Sequence, residues 1–268
     1  MSQSIITLTS DFGLQDHYVS AMKAVMLGIA PEARLLDVSH EIPAHDIMAG
    51  AWVTKNSSFL YPPNTVHLVV VDPGVGTSRN AVALRIDDQY YVGPDNGIFS
   101  LLTGDDNYEA VNLTNPDYWR SDRSTTFHGR DIFAPVAAHL SRGVELYDLG
   151  KPIEQLVTYR WAMPISDKDG LQGWVIHIDR FGNLVTNLSR ELIEETVGDN
   201  DYKIYIGNTI LEEIVETFGS VEEGDPAAII GSSGMLEITI NKGSAASLLG
   251  VQKGAQISIV VQKDEDDT

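Results

Sequence analysis

The 268 residues include 38 Asp and Glu against 18 Lys and Arg, a formal net charge of -20 at pH 7, and such a field repels nucleic-acid backbones and anionic membranes. There is no cysteine, which removes disulfides, thiolate metal sites and a thiol nucleophile and suits a reducing compartment. With 43% hydrophobic residues the chain can bury a full core, and its length suits two domains.

The opening Met1-Ser2-Gln3-Ser4 has no basic region leading into an apolar run, and no apolar stretch reaches the roughly 18 residues that span a bilayer. A cytoplasmic protein is expected. Ile5 to Thr9 reads as a strand ending at Ser10-Asp11-Phe12-Gly13. From Asp16, the apolar positions Tyr18, Met22, Val25, Met26 and Ile29 keep helical spacing until Pro31. Leu35 to Val38 predicts a second strand, about Asp46 to Leu60 a second helix, and His67 to Val71 a strand buried on both faces. Strand-like pieces at Val82 to Ile86 and Tyr90 to Val92 lead into Gly93-Pro94-Asp95-Asn96-Gly97 and a short helix, and a later helix starts near Gly129. This alternation predicts an α/β N-terminal domain, residues 1–163, whose mainly parallel sheet is flanked by helices.

Between Lys151 and Gly170 two prolines and scattered charge read as a connector. Short alternating runs follow, at Trp174 to Ile178, Tyr202 to Ile206, Met235 to Ile240 and Gln256 to Val261. They predict a small all-β, barrel-like C-terminal domain, residues 164–268, whose charged end from Lys263 to Thr268 reads as disordered.

In open α/β sheets ligands collect beyond the carboxyl ends of the strands. Asp11, Asp72 and the Asp95-Asn96 pair all stand at such ends. Each Asp alone can be a turn former or helix cap, and together they point to a site. Asp72-Pro73-Gly74-Val75-Gly76-Thr77-Ser78-Arg79 lacks the Lys of a phosphate-binding loop and the third glycine of a dinucleotide fingerprint. His128 opens a predicted helix, where the dipole disfavours imidazolium and leaves a ring able to accept a proton; a capping or surface role fits that segment equally. His17, Asp16, His45, Asp46 and His128 could ligate a metal, yet none has tight ligand spacing, so no metal is expected. Gly231-Ser232-Ser233-Gly234 is one residue short of a nucleophile elbow.

Taken in order, Thr9-Ser10-Asp11-Phe12-Gly13, Val71-Asp72-Pro73-Gly74-Val75-Gly76, Pro94-Asp95-Asn96-Gly97, Phe127-His128-Gly129-Arg130-Asp131, Phe181-Gly182-Asn183-Leu184-Val185-Thr186-Asn187 and Gly231-Ser232-Ser233-Gly234 resemble one family. It is that of the S-adenosyl-L-methionine (SAM) hydroxide adenosyltransferases, or SAM hydrolases, which are related to fluorinating and chlorinating enzymes. The resemblance implies attack of water or hydroxide on ribose C5′, releasing adenosine and methionine, with SAM as substrate and no separate cofactor. It implies that Asp72, Arg79 and His128 hold the water: Arg79 stabilising developing hydroxide, His128 accepting a proton or orienting the water, Asp72 fixing the geometry. Asp11 matches the carboxylate that grips the ribose hydroxyls, and Asn183 an adenine reader that can also be an ordinary turn residue. Phe181 and Tyr90 are candidates to pack on base or ribose, or else core aromatics. Asp16 and Ser232 match residues near the methionine moiety, Ala245 a position whose backbone meets the base, and Asn96 and Phe127 complete the expected contacts. A homotrimer is implied, with each site between the N-terminal domain of one subunit and the barrel of its neighbour.

The departures favour water. Halogenating relatives place a serine in the segment aligned with His128-Gly129, where Gly129 has no hydroxyl, and the Asp72 carboxylate would repel a halide. Ser233 stands where the fluorinating enzyme has an arginine, and that enzyme's long insertion after Arg79 is lacking. Two other readings compete with SAM hydrolysis: a metal-dependent phosphoesterase built on the Asp and His residues, and a nucleoside-binding or sensing protein without catalysis.

Overall fold

The computed structural model describes residues 4–104, 108–159 and 163–262, and the chain divides into two units, Met1–Tyr159 and Arg160–Thr268. In the first unit β1 (Ile5–Ser10), α1 (Tyr18–Ile29), β2 (Arg34–Ser39), α2 (Ile47–Ser58) and β3 (Val66–Val70) alternate. They are followed by β4 (Ala81–Ile86), β5 (Gln89–Pro94), β6 (Tyr108–Leu113), α3 (Ala134–Ser141) and β7 (Gly150–Pro152). The strands order as β2-β1-β3-β5-β4-β6-β7.

The pattern of β3 explains the layering. Val66, Leu68 and Val70 share one core with Met22 and Met26 of α1 and Val136 and Leu140 of α3, while Val69 joins Ala49 of α2 in a second core. A strand whose side chains alternate between two apolar faces must be covered on both. From β1 the chain crosses to β2 on one side and then returns to β3 on the other. The carboxyl ends of β1 and β3 therefore meet at the switch point where open α/β sheets bind ligands.

The sheet is mixed. The β1–β2, β1–β3 and β3–β5 pairs are parallel, whereas β4–β5, β4–β6 and β6–β7 are antiparallel. The cause is local: only Asp87 and Asp88 join β4 to β5, and Asp87 takes a left-handed φ of 49°, as a tight hairpin requires. The helix expected after Gly97 is a run of turns, with Ser100 N–H donating to the Gly97 carbonyl at 3.1 Å. The helix expected at Gly129 begins as a π-helical turn, Gly129–Phe133, and becomes α-helical only at Ala134.

The second unit contains β8 (Ile165–Asp167), β9 (Gly170–Ile178), β10 (Leu184–Ser189), α4 (Arg190–Val197), β11 (Tyr202–Ile206) and β12 (Thr209–Leu211). After them come β13 (Ile214–Val215), β14 (Pro226–Ile230), β15 (Met235–Ile240), α5 (Ala245–Leu248) and β16 (Gln256–Val261). Its sheet runs β12-β11-β16-β9-β10-β15-β14-β13, with β8 also on β9. Strand β9 curls the sheet, because Gly170 to Trp174 pair with β16 and Val175 to Ile178 with β10. The unit is not purely β: Ser189 caps α4 by accepting from Leu192 N–H at 3.2 Å, and Ile193 and Val197, four apart, bury its apolar stripe. The expected connector holds β7 and β8, and the charged end from Lys263 lies outside the described residues. Among the described residues no helix is long and apolar enough to cross a membrane.

Candidate active site

Register on β1 and β3 places Ser10 beside Val70, so Asp11 and Asp72 leave neighbouring strand ends. Asp72 and Arg79 are joined across the loop between β3 and β4. Arg79 Nε donates to Asp72 Oδ1 at 3.0 Å and Nη2 to Oδ2 at 2.5 Å, with side chains only 10% and 6% exposed. The same Nη2 lies 3.0 Å from His128 Nδ1. A third face of the guanidinium rests 5.2 Å above the Phe133 ring, so the cation is fixed on every side. Burial first, then the Arg79 charge, hold His128 below the ordinary imidazole range against the pull of Asp72 and Asp131. Two loops must meet closely for this. Gly76, at φ 78°, lies so near the Thr125 carbonyl that a Cβ would be 2.7 Å from it.

Asp131 was not among the expected site residues, yet it anchors the histidine. Its fully buried carboxylate accepts from Arg130 Nε at 2.7 Å and from Ser124 N–H at 2.8 Å, and pairs with Arg120 at 3.1 Å. It ties the Ser124–Phe127 loop to the helix that follows, which sets the position of His128 between them. Nothing in sequence separates this Arg-Asp neighbour pair from a solvated surface pair; burial is the signal.

Asp11 is held by His45, whose N–H donates to Oδ2 at 2.9 Å from a left-handed φ of 68°. Among the described residues, Oδ1 has no protein donor. Phe12, next to Asp11, packs edge-on against Phe127, next to His128, at 5.8 Å, and Tyr18 closes the trio at 5.2 Å from Phe127. These rings link the segment that carries Asp11 to the one that carries His128. Gly129 is closely packed, since a Cβ would stand 3.2 Å from Met22 Sδ and 3.3 Å from the Phe127 ring.

Other expected residues fall differently. Tyr90 pairs with Val66 at the amino end of β3 and lies under Arg85, 6.0 Å from its ring centroid. That is the sheet edge opposite Asp72, because β3 and β5 run parallel and Tyr90 stands at their start, so Tyr90 is not brought to the cluster. Asn96 donates through Nδ2 to the Val71 carbonyl at 2.8 Å and accepts from Ile98 N–H at 3.3 Å, which makes it a brace for the strand end that carries Asp72. Asp16 is exposed in the loop before α1. Among the described residues no three His, Cys, Asp or Glu side chains are grouped so as to hold a metal ion.

In the second unit Phe181 is 76% and Phe218 46% exposed, and together they border an apolar hollow of about 680 Å³ with Asn183, Ile240 and Lys242. Exposed aromatics beside a buried amide form a platform for a flat ring. Asn183 Nδ2 donates to Asp179 Oδ2 at 2.9 Å. A carboxylate can only accept, so the amide orientation is set and Oδ1 is left to accept from a ligand. Gly182, at φ 86°, brings this turn so close to Ser244 that a Cβ would clash, and Ala246 N–H donates to the Gly182 carbonyl at 3.0 Å. Ala245 and Asn183 are thereby neighbours. Phe218 lies far from both along the chain, and no local pattern foretells it. Ser232 is exposed on the turn after β14, while the Ser233 hydroxyl is buried without a partner among the described residues. Beside that turn, burial and then the Asp179 charge push the Glu237 carboxyl up.

Two family models match, the SAM hydroxide adenosyltransferase N-terminal domain over residues 6–150 and its C-terminal domain over residues 173–258. An (R)-S-adenosyl-L-methionine hydrolase of Salinispora tropica is 39% identical, covering 95% of this chain and 97% of that protein. A fluorinase of Actinoplanes sp. is more distant, 27% identical over 95% of this chain and 97% of its own. Among solved structures, an uncharacterized conserved protein from Thermotoga maritima superposes with a TM-score of 0.87 at 36% identity, covering 96% of this chain and 99% of that one.

Proposed function

Because this chain belongs to the SAM hydroxide adenosyltransferase family, we propose that Asp72, Arg79 and His128 deliver the water with which it hydrolyses SAM to adenosine and L-methionine. Water oxygen bonds to ribose C5′ as the C5′–S bond breaks, and the bonding pair leaves on sulfur, turning a sulfonium into a neutral thioether. Such a leaving group needs no general acid. What the step needs is an aligned, poorly hydrated nucleophile and an acceptor for its proton.

The observation that carries the division of labour is Arg79 Nη2, which touches both Asp72 Oδ2 and His128 Nδ1. A guanidinium only donates, so Nδ1 accepts and the proton of the neutral ring sits on Nε2. His128 then orients the water as a donor to one lone pair and leaves the other for attack. Asp72 retains lone pairs beyond those Arg79 occupies, and its carboxylate takes the proton released as the O–C5′ bond forms and passes it to solvent. Arg79 holds both partners in place.

In the same reading Asp11 binds the 2′- and 3′-hydroxyls, Asn183 meets the adenine edge, Phe181 and Phe218 stack on the base, and the Ala245 backbone lies beside it. Asp16 and Ser232 serve the methionine end, and Phe127 walls the ribose. SAM is the substrate and the step asks for no further cofactor. Water is favoured over halide because Gly129 offers no hydroxyl, a Cβ there would press on Met22 Sδ at 3.2 Å and the Phe127 ring at 3.3 Å, and the Asp72 carboxylate repels anions. The residues assigned to nucleophile and ribose lie in the first unit and those assigned to the base in the second, and the reading takes from the family resemblance a homotrimer that completes each site between subunits. A cysteine-free chain suits the cytoplasm. The test is isotopic: SAM turned over in ¹⁸O-water should give adenosine labelled at the 5′-oxygen, and 5′-chloroadenosine in chloride buffer, or unlabelled adenosine, would sink the reading.

A further inference from the structure

A second polar chain in the first unit reaches the Asp11 loop from the opposite side of the water cluster. Lys23 Nζ on α1 donates to Asp37 Oδ2 at 2.6 Å, His40 Nε2 donates to Asp37 Oδ1 at 3.0 Å, and Ser10 Oγ lies 2.7 Å from His40 Nδ1. Phe12 N–H donates to Ser10 Oγ at 3.4 Å, and Gly13 N–H to the His40 carbonyl at 2.8 Å. Ser10 is fully buried and His40 is 4% exposed. One polarity gives every proton an acceptor: Phe12 to Ser10, Ser10 to His40, His40 to Asp37, with Lys23 closing the far end. Burial pushes the Asp37 carboxyl up, but the hydrogen bonds from Lys23 and His40 outweigh it and hold it below its ordinary value. Serine, histidine and carboxylate in contact would also read as a nucleophile triad. No substrate carbon reaches a serine with no exposed surface, so that reading fails.

We propose that Lys23, Asp37, His40 and Ser10 are positioning residues that aim the Asp11 carboxylate at the ribose hydroxyls of the substrate. The proposal rests on the assignment of Asp11 as the ribose ligand. The relay fixes Phe12 and Gly13, the two residues that follow Asp11, and Gly13 takes a left-handed φ of 64°. With His45 N–H already on Oδ2, Oδ1 is the oxygen left to accept, and four side chains from α1, β1 and the end of β2 hold the backbone that follows Asp11.

A positioning role differs from a purely structural one in what it does to ribose recognition. Dissociation constants of adenosine and 2′,3′-dideoxyadenosine would be measured by titration calorimetry for the wild type and for the Asp11→Ala, His40→Ala, Ser10→Ala and Lys23→Met variants, together with kcat and KM for SAM. The wild type should prefer adenosine by roughly tenfold or more, the worth of hydrogen bonds to a charged group. Asp11→Ala should abolish that preference. His40→Ala and Ser10→Ala should collapse it toward unity while leaving dideoxyadenosine affinity within about twofold, and should raise KM with little change in kcat. His40→Gln should restore part of it. Lys23→Met, a surface change that leaves the core intact, should reduce it partially and keeps the test valid if a buried variant fails to fold. Retained preference in the His40, Ser10 and Lys23 variants, or equal weakening of both nucleosides, overturns the relay. Retained preference in Asp11→Ala overturns the ribose assignment instead, and the relay with it.

Discussion

His128 is where the chemistry can be tested most sharply. From sequence its neutrality rests on a helix dipole, whereas the structure puts it at a π-helical turn with burial and the Arg79 cation as the cause. The consequence is directional. Protonated His128 would lose Nδ1 as an acceptor and face a guanidinium 3.0 Å away, so the acid limb of kcat/KM should fall below the ordinary imidazole value of 6.5. Replacing Arg79 by Met removes the opposing cation, and the limb of the residual activity should move to higher pH. An unmoved limb would show that another group titrates. If His128 acts on water rather than on SAM, as proposed, His128→Ala should lower kcat by about 10²–10³-fold with KM nearly unchanged. Position alone marks Asp11 and Asp72 at strand ends and His128 at a helix start; Arg79, and the three as a set, are legible only through the family resemblance. Tyr90 misleads because aromaticity says nothing about which end of a strand a residue occupies, and Asp131 escapes notice because burial is a tertiary fact.

Strands β1, β3 and β5 are tied by a polar side chain in an apolar core. His67 on β3 lies 2.7 Å from Thr7 Oγ1 on β1, donates through Nε2 to Gln89 Oε1 on β5 at 2.6 Å, and stacks on Tyr91 at 4.8 Å. Burial lowers its pKa to about 4 from 6.5. The folded pKa is depressed, so below pH 6.5 the unfolded chain binds a proton that the folded chain refuses, and stability falls as the pH drops through the window from 6.5 to about 4. At 1.36 kcal/mol per pK unit the whole window is worth about 3 kcal/mol. Urea midpoints at pH 7 and pH 4.5 should therefore diverge more for the wild type than for His67→Gln, which has nothing to titrate; equal divergence would remove His67 as the cause. The parallel half of this sheet is legible in the sequence, since a continuous apolar run such as Leu68 to Val71, coming after two strand-then-helix alternations, has few other homes. The antiparallel half is not, because it depends on Asp87 and Asp88 turning the chain in two residues, and neither is a glycine or asparagine that would announce a tight turn. Helix α4 escapes for a similar reason: its buried stripe is two residues long, Ile193 and Val197.

The residues assigned to one reaction are divided between two units, Asp11, Asp72, Arg79 and His128 in the first and Phe181, Asn183 and Phe218 in the second. If a homotrimer completes each site with the first unit of one subunit and the second unit of its neighbour, defects in the two halves should complement. On the proposed assignment Asp72→Asn should disable the nucleophile half and leave the base half whole, and Asn183→Ala should do the reverse. Each homo-oligomer should be nearly inactive. Co-expressed at equal amounts, random mixing gives about a quarter of the sites two intact halves in a closed ring with heterologous contacts, and activity should recover to roughly that fraction of wild type. Sites built within single subunits would give no recovery, because every chain carries one defect. Light scattering on the same samples separates the cases further, since a fully active monomer would contradict the shared site outright. Complementation thus reads the assembly from chemistry alone, and it does so with two side chains whose substitution leaves both hydrophobic cores untouched.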